Sequence, residues 1–360
     1  MAVQRFPGLT RRKFLSNSAA LSVGAFAGVG LTGCGEDASS RTAGGNGASK
    51  SVTCVLDVAP YGKHAPFYVA REQGMWADRG LDVDLQSAKG SGDAVTKVGS
   101  GAGHFALADT SAAMLARGNQ GLQTKVVCMY HYKNLMSVLT LEGNGISEPA
   151  DLEGKKMHVL PGEGTFLMLP ALAEANDFDA DNVETVVGEV TGLIQAVVSG
   201  QVDGALTYYT FYPSLEAAAD KAGKTPNALL YAEYGVDVYN NGIVVADEFA
   251  KSDPDTVRAF CEGLVDAVVE TVRDPDAATE LFVKSVPGTD PKIARAQLDV
   301  AIDHLNVPEV KANGFGPMDT DKMKHTVELV NKYFTLDTPV TDPADIYSNE
   351  FVPAGKIPSL

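Results

Sequence analysis

The 360-residue sequence predicts an α/β protein of two lobes, each a mainly parallel sheet flanked by helices, joined by a hinge of two chain crossings. Three observations carry this expectation. Short β-rich runs alternate with helical stretches from residue 51 onward. One supersecondary unit occurs twice: Ser100-Gly101 before Phe105-Ala106-Leu107 returns as Ser199-Gly200 before Gly204-Ala205-Leu206, and Pro60 returns as Pro161. The final third reads as helices without strands of their own, so it must pack back on the first lobe and create a second crossing.

The chain starts with a basic segment, Thr10-Arg11-Arg12-Lys13-Phe14-Leu15, followed by an apolar, small-residue run from Ala19 to Leu31. Paired arginines before Phe-Leu resemble a twin-arginine export signal. The apolar run falls well short of the roughly 20 residues that span a bilayer core, as a signal peptide does. Leu31-Thr32-Gly33-Cys34 resembles a bacterial lipobox, which makes Cys34 the lipidated mature N-terminus and residues 1–33 the signal. Residues 34–50, rich in Gly, Ser and Ala, lack an apolar period and read as a flexible tether. The expected location is therefore the outer face of the cytoplasmic membrane, reached by export and held by lipid.

Charge and cysteine content exclude several classes. The formal net charge is −17, and the first 33 residues carry four positive charges and no negative one, so the rest stands near −21. Such a body repels phosphate backbones, which argues against nucleic-acid binding. Cys54, Cys128 and Cys261 are widely spaced, with no CxxC and no local His cluster, so no metal site is expected. All three read as small buried apolar residues. No cofactor is indicated, and a monomer is expected.

In order, Ser51–Val58 reads as a strand, Pro66–Gly74 as a helix, Leu81–Gln86 as a strand, Asp93–Gly99 as a helix and Phe105–Ala108 as a strand. Val126–Tyr130 and Val138–Leu141 follow as strands. The second pass runs Lys155–Leu160 strand, Phe166–Ala175 helix, Val183–Val187 strand, Leu193–Ser199 helix and Ala205–Tyr208 strand. Tyr239-Asn240-Asn241-Gly242 turns into the strand Ile243–Ala246, and helices are expected at Pro254–Thr271, Pro275–Val283, Pro291–Asn306 and Asp319–Tyr333. The crossings then fall near 140–146 and 239–246. Residues 51–141 and 244–345 form the first lobe, 142–243 the second, and 346–360 a C-terminal tail.

The run Leu56-Asp57-Val58-Ala59-Pro60-Tyr61-Gly62-Lys63-His64-Ala65-Pro66-Phe67-Tyr68-Val69-Ala70 resembles the superfamily of thiamine-pyrimidine-precursor proteins, as do Gly80-Leu81-Asp82-Val83 and Ser199-Gly200-Gln201-Val202-Asp203-Gly204. The resemblance covers most of residues 52–250 and implies the type II periplasmic-binding-protein fold. It also implies a substrate-binding role beside an ABC permease and its ATPase. Members bind pyrimidine precursors, and wider relatives bind sulfonates, nitrate, taurine, flavins or aromatic acids. Val58 stands where the pyrimidine binders usually carry Trp. The superfamily's fungal enzymes carry a clustered cysteine motif that this sequence lacks, and no GxSxG or HExxH is present.

Ligands of doubly wound sheets sit beyond the carboxyl ends of the strands. That rule selects Tyr61 and His64, the second also implied by the family motif, then Ser91 in the glycine-flanked loop 89–93, and Asp109 and Thr110. In the second lobe it selects Gly162, Gly164 and Thr165, whose backbone N–H groups suit an oxyanion. Tyr208, Tyr239 and Asn240, with Tyr209 and Tyr212, complete an aromatic cluster near the crossings. The expected ligand is a small planar aromatic or heteroaromatic molecule, such as a pyrimidine precursor or an aromatic carboxylate. Alkyl sulfonates, taurine and nitrate are the alternative, and an exported enzyme or a ligand sensor is the rival class.

Overall fold

A computed structural model describes residues 49–334 and 336–353. The signal, the lipobox at Cys34, nearly all of the tether and residues 354–360 lie outside the described residues. Within them, no helix is long and apolar enough to cross a membrane.

The chain opens with β1 (Lys50–Leu56), α1 (Ala65–Glu72), β2 (Leu81–Ser87), α2 (Ser91–Gly99), β3 (Phe105–Asp109), α3 (Thr110–Gln120) and β4 (Thr124–Met129). It then crosses to β5 (Met136–Leu141), β6 (Lys156–Val159), α4 (Gly164–Leu167), α5 (Leu169–Ala175), β7 (Glu184–Val187), α6 (Leu193–Val198), β8 (Gly204–Tyr208), α7 (Tyr212–Lys221) and β9 (Pro226–Leu230). It returns as β10 (Asn241–Ala246), followed by α8 (Asp247–Ser252), α9 (Pro254–Arg273), α10 (Pro275–Ser285), α11 (Pro291–Asp303), α12 (Pro308–Asn313) and α13 (Thr320–Tyr333).

Two five-stranded sheets result, ordered β2-β1-β3-β10-β4 and β7-β6-β8-β5-β9. In each, three parallel strands are followed by one strand antiparallel to both of its neighbours: β10, which returns after the second sheet is made, lies between β3 and β4, and β5, the second sheet's own first strand, lies between β8 and β9. The repeat read from the sequence is thus two sheets of the same strand order. The first crossing differs from expectation. β5 belongs to the second sheet, so the chain passes over at residues 130–135 rather than 140–146, and Val138–Leu141 lies in the second lobe. The second crossing occupies the segment between β9 and β10, so β10 is a first-sheet strand from Asn241.

The two crossings run side by side. The His131 amide donates to the Asn241 carbonyl (2.8 Å), and the Asn134 side chain donates to the Val236 carbonyl (2.6 Å). Burial of strand faces drives the assembly: Val55, Leu56, Phe105, Leu107, Ile243 and Val244 are fully buried, and Phe260 of α9 stacks on Phe105 at 3.8 Å. α9 and α10 pack on α1, as the sequence led us to expect. α11 reaches farther and touches α7 of the second lobe, where Gln297 donates to Ser214 (2.9 Å). The described part of the tail is docked rather than loose. Ile346 and Ser348 exchange backbone hydrogen bonds with Val126 and so cover the edge strand β4.

Candidate ligand-binding site

The carboxyl ends of the parallel strands from the two sheets face one another, and loops from both lobes meet there. Glycines of the two lobes come into backbone contact. Gly92 donates its amide to the Gly162 carbonyl (2.9 Å), and a β-carbon on Gly90 would lie 3.1 Å from the Gly162 backbone. Gly90 and Gly162 have φ of 122° and 78°, which side chains rarely adopt, so glycine is required by both conformation and space. Beside this clasp, Tyr61 bonds Thr210 across the lobes (2.8 Å), and its ring packs on Phe211 at 4.4 Å.

Behind Tyr61 lies a fully buried ionic cluster. The Asp57 carboxylate accepts from Lys63 Nζ (2.6 Å), His64 Nε2 (2.8 Å) and Asn241 Nδ2 (2.9 Å). Burial alone would raise the Asp57 pKa, but the Lys63 ammonium and the His64 hydrogen bond outweigh it and hold the carboxyl well below the usual range. His64 is pushed down by burial, against the pull of Asp57. Its Nδ1 accepts from the Tyr61 amide (3.1 Å), so both ring nitrogens are engaged. Tyr61 and His64 therefore set the loop's shape rather than offering free groups. The Lys63 ammonium lies over the rings of Tyr61 and Tyr208 at 5.3 and 4.9 Å.

A second set of buried polar groups converges from both lobes and the second crossing. Asp109, at the end of β3, takes Ser111 on one oxygen and the Asn240 amide (2.9 Å) on the other. Facing it are Tyr208 at the end of β8, Ser91 at the start of α2, and Glu163 just before α4. The hydroxyls of Ser91 and Tyr208 are buried against each other, and the Thr165 hydroxyl, Glu163 Oε2 and Asn240 Oδ1 are buried and have no hydrogen-bond partner within the described residues. Burial pushes the Glu163 pKa up to about 8 and that of Asp109 up to about 6. Glu163 Oε1 accepts from Thr207 (3.0 Å). Unpaired polar groups at this depth cost free energy, so their concentration at one place points to a site shaped for a partner.

Of the residues selected from the sequence, Ser91, Asp109, Gly164, Thr165, Tyr208 and Asn240 meet in this cluster, and Gly162 forms the clasp beside it. Thr110 is committed to the Asn240 carbonyl (2.8 Å). Tyr239 is placed elsewhere: its hydroxyl contacts Glu309 (3.2 Å) and accepts the Asp319 amide (2.8 Å). The expected aromatic cluster is dispersed, because Tyr209 and Tyr212 stack on each other at 5.1 Å while Tyr61 is spent on Phe211. The oxyanion entrance is likewise replaced. α4 has only four residues, and Glu163 caps its approach with a buried carboxyl. Lys63 and Asp57 are not among the residues selected from the sequence; the spacing of Asp57, Lys63 and His64 was the available signal. Among the described residues no group of His, Cys, Asp and Glu is arranged to hold a metal ion.

Outside the clasp is a cleft of about 300 Å³, lined by Val58, Ala59 and residues 87–89 from one lobe and by Leu160, Pro161 and residues 187–191 from the other. Its walls are mainly aliphatic, with Ser87, Lys89, Glu189 and Thr191 among them.

A two-lobed α/β body with strand ends and crossings arranged around such a cluster defines a solute-binding protein of periplasmic-binding-protein type. The chain belongs to the NMT1/THI5-like family, whose profile matches residues 62–278. It is 26% identical over 320 residues to the riboflavin-binding protein RibY of Chloroflexus aurantiacus, covering 85% of this chain and 87% of that one. It is 25% identical over 309 residues to a formylaminopyrimidine-binding protein of Halalkalibacterium halodurans, covering 83% and 90%. The fold matches that of the alkanesulfonate-binding protein SsuA from Xanthomonas axonopodis pv. citri, with a TM-score of 0.65 at 13% identity, over 83% of this chain and 98% of that one.

Proposed function

We propose that this protein captures a small planar N-heterocycle between its lobes and hands it to an ABC permease and its ATPase. The observation that carries this reading is the mixed set of buried donors and acceptors around Tyr208, with an acidic group and no free cation beside it. Asp109 and Asn240 Oδ1 face the cluster as acceptors and Glu163, protonated below about pH 8, as a donor, while the nearby cation, Lys63, is paired with Asp57. Such a site suits a neutral or cationic ring bearing N–H donors, and disfavours an aromatic carboxylate, an alkyl sulfonate or nitrate, whose charge would meet Asp109 without a free cation. Relatives named for riboflavin and formylaminopyrimidine, both nitrogen heterocycles, support the same class.

Relatives named as binding proteins support capture rather than turnover. Both nitrogens of His64 are engaged within its own loop. Lipidated Cys34 completes the reading by placing a monomeric body at the outer face of the cytoplasmic membrane. Cys34→Ala should release the protein from membranes, and an unmodified mature N-terminus elsewhere in wild type would refute the anchor.

A thermal-shift screen tests the ligand class, since a ligand that binds only the native state raises the melting temperature with concentration. Aminopyrimidines and flavins should raise it. A shift by aromatic carboxylates, sulfonates or nitrate alone would overturn the proposal.

A further inference from the structure

α11 returns to the first lobe, yet one of its side chains serves both lobes. Gln297 is 4% exposed, and both ends of its amide are engaged. Its Oε1 accepts from the Gly62 amide (2.9 Å), in the loop after β1, and its Nε2 donates to Ser214 Oγ (2.9 Å), in the first turn of α7. The Gly62 N–H can only donate, so the amide oxygen must face it and the nitrogen is left for Ser214. Gly62 is seated tightly on the helix: a β-carbon there would collide with the Ala294 carbonyl oxygen and lie 2.7 Å from Gln297 Cβ. The neighbouring Tyr61 reaches Thr210, four residues before Ser214 (2.8 Å), and α11 itself touches residues 209–211. Every partner in this set belongs to the protein, and the set stands apart from the polar cluster around Tyr208.

We propose that Gln297 is a positioning residue for lobe closure: held in place by Gly62, it latches α7 and draws the two lobes together without a ligand. The hydrogen bond to Gly62 lies within the first lobe and survives opening, so the amide is already fixed in the pose that meets Ser214. An untethered glutamine would lose the rotamer freedom of a long side chain on making the same bond, whereas Gln297 has lost most of it beforehand. The bond across the lobes then counts at the full strength of an ordinary hydrogen bond. It shifts the balance between parted and joined lobes by about two- to tenfold. A ligand that binds the joined form finds it populated and loses less of its own binding free energy to closure. None of this depends on which ligand the protein takes.

Gly92 supplies the readout. Its amide lies at the second position of α2, where no intrahelical partner exists, and its acceptor is the Gly162 carbonyl of the other lobe (2.9 Å). Ala94, two residues on, donates to Gly90 within its own lobe (3.1 Å). The test is hydrogen exchange at single amides in the ligand-free, full-length protein, comparing wild type with Ser214→Ala and Gln297→Met. Ser214→Ala removes the acceptor on α7 and keeps the bond to Gly62. In wild type the Gly92 amide should exchange at least about tenfold more slowly than an unprotected amide. Each variant should speed Gly92 by about two- to tenfold while moving Ala94 by less than about twofold. Should Gln297→Met fail to fold, Ser214→Ala alone decides. A Gly92 amide that exchanges freely in wild type overturns the inference, because the lobes then stand apart without a ligand. Unchanged Gly92 exchange in Ser214→Ala overturns it as well, as does equal acceleration of Gly92 and Ala94 there, which marks a loosened fold instead of a lost latch. Each of these outcomes leaves the N-heterocycle reading standing, since the thermal-shift screen tests that separately.

Discussion

A β-carbon on Gly164 would stand 2.7 Å from the Asp109 carboxylate of the opposite lobe. The same atom would lie 2.9 Å from the Tyr208 hydroxyl. Gly164 sits in the first turn of α4 without a positive φ, so a side chain there is tolerated by the backbone and meets Asp109 of the facing lobe and the Tyr208 hydroxyl of its own. Gly164→Val should therefore fold but close incompletely. Small-angle scattering at saturating ligand should give a larger radius of gyration than wild type; an identical radius would show that the approach is not needed for closure.

Glu163 makes the closed fold sensitive to pH. Its carboxyl titrates at about 8 instead of the ordinary 4.5, because burial disfavours the charge. The protonated group's contribution is complete below the ordinary value and is lost as pH rises through 8. Asp109, titrating at about 6, adds a loss at lower pH. Above about pH 7, where His64, His131 and His304, all pushed down by burial, no longer oppose the effect, the melting temperature of the wild-type protein should fall up to about pH 9. Glu163→Gln, which can still accept from Thr207, should flatten the upper part of that fall. Parallel pH profiles for the two proteins would refute the assignment.

Removing one member of the buried ion pair should be costly. Asp57→Ala leaves the Lys63 ammonium unpaired in the core, and urea unfolding should show a loss of about 3–5 kcal/mol. The double variant Asp57→Leu with Lys63→Met should recover much of it, because neither charge then remains to be buried. A double variant no more stable than Asp57→Ala would show that His64 and Asn241 depend on the carboxylate itself.

Two tyrosines selected on the same grounds should now behave differently. Tyr208→Phe deletes a hydroxyl in the polar cluster and should weaken ligand binding by about tenfold, the range of one hydrogen bond to a buried group. Tyr239→Phe cuts the contacts to Glu309 and Asp319 and should lower stability while leaving affinity unchanged. Titration calorimetry beside thermal unfolding separates the two effects, and a loss of affinity in Tyr239→Phe would move that residue back to the cleft.

The repeated βα pattern made the two sheets readable, because strand and helix periodicities are local. Loop positions at strand ends followed from the same pattern, and six of the selected residues do meet in one cluster. Sheet membership was not readable. Val138–Leu141 looks like any buried strand, and only its pairing with β8 and β9 assigns it to the second lobe. Lys63 was passed over because lysines on loops ordinarily reach water; its burial depends on the ion pair with Asp57, six residues earlier. Tyr239 misled for the opposite reason, since nearness to a crossing along the chain says nothing about which way a ring turns.

The late return of β10 governs when the first lobe can be completed. β10 fills the gap between β3 and β4, yet it is separated from β4 by the whole of the second lobe. On a chain made from its N-terminus, β3 and β4 must wait for more than a hundred further residues before their shared neighbour exists. Pairings so distant in sequence are slow to form and expose apolar strand edges meanwhile. A fragment ending at residue 135 would hold four of the first sheet's five strands with an open seam between β3 and β4, so the lobes are separable in space but not in biosynthesis.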